Sequence, residues 1–157
     1  MLLEACDWLK HTWLSTLIRE SKWGFATVEM GHLVALAVLG GALLTLGLRF
    51  FGLILEYQPL EAAVRDLRRL IGFSFLAMLV TGALLFADGP LRYYGNSAFR
   101  VKLLLIGAAV LFGLQALRFA NRYRHLTAAP LAMKFTAVAS LSLFLGAAVA
   151  GRVIGVL

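Results

Sequence analysis

The sequence predicts an all-α integral membrane protein: a bundle of four membrane-spanning helices with an N-terminal amphipathic helix lying on the membrane surface. Three observations carry this. Of 157 residues, 61% are hydrophobic and only 15% are charged, too little polar surface to clothe a water-soluble globule of that size. The apolar residues fall in four long runs without period-2 alternation, and a backbone in lipid must pair its polar groups inside helices or closed barrels. The 15 Lys and Arg residues flank these runs instead of forming one stripe. The net charge of +7 is therefore that of membrane-flanking cations, and nucleic acid is not an expected partner.

Residues 1–22 read as the interfacial helix. Leu2, Cys6, Leu9, Trp13 and Leu17 recur at helical spacing, while Glu4, Asp7, His11 and Ser15 take another face. Glu4 and Asp7 stand where a signal peptide needs apolar residues, and no basic segment precedes them. A single cysteine, Cys6, rules out a disulfide framework and any CxxC motif. The bundle occupies residues 24–157, with spans at about 24–55, 68–88, 101–123 and 131–156. The first is free of charge between Glu29 and Arg49, and the second is uncharged over residues 70–87. Only residues 103–117 separate Lys102 from Arg118 in the third, so these long side chains must snorkel to the headgroups. Pro130 opens the fourth, which carries charge only at Lys134 and Arg152. Gly40-Gly41-Ala42 and Gly146-Ala147-Ala148 read as small-residue runs for close helix packing.

Four spans put both ends of the bundle on one side. Seven cations fall on that side and eight on the other, but the second group is concentrated in two clusters, Arg65 with Arg68 and Arg69, and Arg118 with Arg122 and Arg124. The clusters are expected in the cytoplasm and both termini outside. Trp8, Trp13, Trp23, Tyr93, Tyr94 and Phe99 fit headgroup depth on the termini side.

Ionisable groups at membrane depth are costly and mark candidate function. Glu29 and His32, three residues apart, share a helix face one to two turns below the surface, so the carboxylate is placed to hold the imidazole while the other ring nitrogen binds a metal. The competing reading is a His hydrogen-bonded across the bundle. Lys102 opens the third span on the same side, suited to pairing with Glu29 or to holding an anion such as a porphyrin propionate, or simply to snorkelling; Arg152 carries the same choice. Met78 lies at a depth comparable with His32, and a His plus Met pair suits heme iron or copper, although Met is also a common core filler. Met30, two residues from His32, points elsewhere. His11 is a reserve ligand, and His125 lies across most of a span. GxSxG, HExxH, P-loop and GxGxxG motifs are absent, and no catalytic residue is assigned.

The run His32 to Arg49, with Gly40 and Gly41 midway and Leu48-Arg49 at its end, resembles the first helix shared by the copper-resistance CopD family and the HemJ-type protoporphyrinogen oxidases. The stretch Phe99-Arg100-Val101-Lys102-Leu103-Leu104-Leu105, continuing to Asn121-Arg122-Tyr123, is similar to a second helix of CopD-like domains. The resemblance covers roughly residues 25–125 and implies a bacterial inner-membrane bundle in which His32 and Lys102 match the families' characteristic His and Lys. CopD proteins are associated with copper movement, and HemJ-type proteins bind heme b. HemJ-type proteins usually carry a further His in the third span, where this chain has Gln115 and Leu117. Three functions stand open on this reading. One is copper handling with His32, Glu29 and Met78 as metal-binding residues. Another is heme b bound by His32 with Lys102 and Arg152 on the propionates. The last is a cofactor-free subunit. The lipid bilayer is the expected surrounding, with a periplasmic metal-binding or redox protein, or a second copy of the chain, as compatible partners.

Overall fold

The computed structural model describes residues 23–55, 57–88, 97–123 and 129–154. The expected N-terminal amphipathic helix, with Cys6 and His11, lies outside the described residues, as does His125. Four helices make up the described fold: α1 (Gly24–Phe51), α2 (Leu60–Asp88), α3 (Ser97–Arg122) and α4 (Leu131–Ile154). Each is long and apolar enough to cross a membrane, so the chain is an all-α, multi-pass membrane protein. Apolar side chains face outward along all four helices. Val34, Leu76, Leu104 and Val149 are among the exposed ones, a surface that only lipid accommodates.

Helix limits differ from those of the apolar runs in two instructive ways. α1 stops at Phe51 rather than near residue 55, although Leu53, Ile54 and Leu55 continue the apolar run. Gly52 takes the left-handed conformation (φ +73°) and closes the helix, with its N–H on Arg49 O at 3.0 Å and the Leu53 N–H on Leu48 O at 3.0 Å. α2 begins at Leu60, two turns before the expected 68, and α3 at Ser97 rather than 101. Charged residues can continue a helix outside hydrocarbon, and the Pro59 carbonyl receives the Ala62 and Ala63 N–H groups that start α2. The turn between α1 and α2 is tied by the buried Arg49, whose Nη2 donates to the Gln58 carbonyl at 2.8 Å.

The core lies in two clusters. Leu46, Phe50, Leu60, Val64, Ala116 and Met133 fill the end near Arg49. Ala35, Leu39, Met78, Ala109 and Phe144 fill the other half. α3 packs most closely on α4, and α1 on α2 and then on α4, while α2 and α3 scarcely meet. The α3–α4 contact uses small residues. A Cβ on Gly113 would lie 3.2 Å from Ser140 Oγ, which donates to the Ala109 carbonyl at 2.9 Å. Gly40 and Gly41 do not take the packing role expected of them: a Cβ at either would meet nothing within 4 Å, and of that run only Ala42 is buried.

Candidate functional site

The antiparallel order of the helices brings the start of α1, the end of α2, the start of α3 and the end of α4 to one membrane face. There they enclose a cavity of about 420 Å3, a size typical of small-molecule sites. Glu29 and His32 from α1, Met78 from α2, Lys102 from α3 and Arg152 from α4 all line it. Five residues chosen by type and depth from four separate segments thus share one space. Met30, as its spacing predicts, faces away and is exposed.

His32 Nδ1 lies 2.9 Å from Thr81 Oγ1 on α2. With the Thr81 hydroxyl proton on the Ala77 carbonyl at 2.7 Å, the imidazole supplies the proton between the two side chains and Nδ1–H donates to Thr81. Nε2 is left with its lone pair and, among the described residues, without a hydrogen-bond partner. That is the tautomer of an imidazole ready to bind a metal through Nε2. Gly82 makes the room, since a Cβ there would stand 3.4 Å from His32 Cε1.

Among the described residues Thr81, not the Glu29 carboxylate, is hydrogen-bonded to the imidazole. Glu29 also makes no ion pair with Lys102 among the described residues. Lys102 is half-buried and folds over the backbone of α4: a Cβ on Gly151 would lie 3.0 Å from its Nζ and 3.3 Å from its Cε. The ammonium therefore lies against α4 at the edge of the cavity.

Met78 is buried in the core cluster beneath the cavity. Phe99 stacks on Phe86 with ring centroids 5.4 Å apart and planes inclined by 17°, and both rings line the cavity. Among the described residues no three His, Cys, Asp or Glu side chains converge as a metal-binding group. The sequence reading missed Thr81, Gly82, Gly151 and Phe86. A threonine one turn beyond Met78, followed by glycine, and a glycine just before Arg152 were the available signals.

Residues 6–157 match the family model DUF6644, a family of unknown function, and because the match covers nearly the whole chain, the protein belongs to that family. No curated protein and no solved structure matches it.

Proposed function

We propose that the protein is a membrane-embedded heme b-binding protein, in which His32 would bind the iron through Nε2 and Lys102 and Arg152 would meet the propionates. The observation that carries this reading is the His32–Thr81 hydrogen bond through Nδ1, which leaves Nε2 for a ligand on a residue that lines a cavity together with two cations. The donor set fits the group: one imidazole nitrogen, two side chains for two carboxylates, and mostly apolar walls. When bound, heme supplies one-electron redox chemistry. Thr81 would hold the imidazole orientation, Lys102 and Arg152 would balance the carboxylates, and the Phe86–Phe99 pair would shield the site at its surface end. Gln115 is exposed on α3 and Leu117 lies well away from His32, so the third span offers no second histidine. A one-histidine heme carrier fits these residues better than a porphyrinogen oxidase.

A second reading has one observation in its favour. Met78 brings a thioether to the cavity that holds His32, a ligand pair suited to copper. Against it stand Lys102 and Arg152, two cations that repel a bare metal ion and attract a porphyrin's carboxylates. In either case the location we propose is the bacterial inner membrane, with the site on the outer face. The arginine clusters at the far end support that orientation, and the similarity of the His32 and Lys102 segments to CopD and HemJ-type helices supports the membrane. An absorption spectrum with metal analysis of the detergent-purified chain tests the choice. A Soret band lost in His32→Ala is the expected result. Stoichiometric copper without that band selects the second reading, and neither signal marks a cofactor-free subunit.

A further inference from the structure

A second cavity, of about 370 Å3, lies on the Arg68 side of the first. Ile106 and Phe144 wall both. It exists because α1 packs on α2, and α3 on α4, while α2 and α3 scarcely meet, which leaves a slot between the two pairs. Its walls are hydrocarbon, from side chains such as Leu39, Phe75 and Leu117. The hydroxyl of Ser140 is already committed to the Ala109 carbonyl. Gly72 lines the slot without filling it, since a Cβ there would meet nothing within 4 Å. A single charged residue, Arg68, borders it, and among the described residues no hydrogen bond or ion pair engages that guanidinium.

We propose that this slot binds one acyl chain of an anionic phospholipid from the leaflet on the Arg68 side, with the lipid phosphate on Arg68. The dimensions fit. From Leu117 to Ile106 along α3 the slot runs about 16 Å, close to half of the ~30 Å hydrocarbon thickness of a bilayer. One leaflet's chain therefore reaches from the headgroup level to the Ile106–Phe144 partition. The charge also selects. A neutral amphiphile leaves the guanidinium unmatched and a zwitterion brings its own cation beside it, whereas an anionic phosphate accepts the planar guanidinium directly. Arg65 and Arg69 add to the same field from the adjacent surface. The site stands independently of the heme reading.

Native mass spectrometry of the full-length chain, released from vesicles of equal parts phosphatidylglycerol and phosphatidylcholine with identical acyl chains, tests this. One retained phospholipid per chain is expected, with phosphatidylglycerol favoured about fivefold, equivalent to ~1 kcal/mol for one surface cation. Arg68→Gln should bring the two lipids to parity. Gly72→Leu, which adds a side chain in open space and raises helix propensity, should lose the retained lipid whatever its headgroup. Retention in Gly72→Leu equal to that of the wild type would overturn the proposal. So would an unchanged preference in Arg68→Gln, or Arg122→Gln removing the preference as fully as Arg68→Gln does. A wild-type dimer that Gly72→Leu dissociates would assign the slot to a second copy and overturn it as well.

Discussion

The proton that His32 gives to Thr81 is the smallest feature on which the site depends. Without it the ring is free to rotate and to exchange tautomers. Thr81→Val keeps the shape of the side chain and removes the acceptor, and it should weaken cofactor affinity by roughly 10- to 100-fold, with Thr81→Ser restoring it; a binding titration measures both. Glu29 invites a different test. In a buried ion pair with Lys102, loss of its charge would cost ~3–5 kcal/mol. The two side chains form no such pair among the described residues. Glu29→Gln and Lys102→Met should therefore add in their effects on unfolding to within about 0.5 kcal/mol. A double-mutant cycle in detergent checks this, and rescue of Glu29→Gln by Lys102→Met would restore the ion-pair reading. At this scale the sequence reveals the ionisable residues, because charge at membrane depth is conspicuous. It conceals Thr81, because a threonine in a span usually just bonds its own helix, as Thr45 does to Gly41 at 2.8 Å.

At the scale of elements, glycines matter where a conformation or a neighbour demands them. Gly52 ends α1 at φ +73°, a conformation that costs another residue about 1–2 kcal/mol. Gly52→Ala should destabilise the protein by that amount in a denaturation experiment, whereas Gly41→Ala, at an open helical position, should be neutral or slightly stabilising. The spans themselves are legible because apolar length is a direct physical requirement of the bilayer. Their ends are less so. Leu53, Ile54 and Leu55 look like continuing helix until the backbone of Gly52 is known, and Glu61 to Leu67 look like a loop although charged residues continue α2 outside the hydrocarbon.

The whole molecule is two helix pairs, α1 with α2 and α3 with α4, joined mainly through α1 and α4. The cavity at one end and the slot between α2 and α3 both follow from that arrangement. Apolar periodicity says which residues avoid water, and in lipid it does not say which helices choose each other. The meeting of Glu29, His32, Met78, Lys102 and Arg152 was legible through depth alone, while the gap between α2 and α3 had no counterpart in the sequence. The proposed orientation rests on charge. A reporter fused after Leu157 should read as extracytoplasmic and one inserted near Glu61 as cytoplasmic, because the arginine clusters are retained inside. The reverse pattern would turn the site to the cytoplasmic face.

The central claim is that His32 binds heme through Nε2, and a hemin titration of the detergent-solubilised, heme-free chain tests it most directly. The wild type should give a Soret shift that saturates at one heme per chain. His32→Ala should abolish that shift while the far-UV circular dichroism stays unchanged, since insertion and helicity rest on apolar length. A His32→Ala protein that binds heme with the same stoichiometry and spectrum as the wild type would contradict the account.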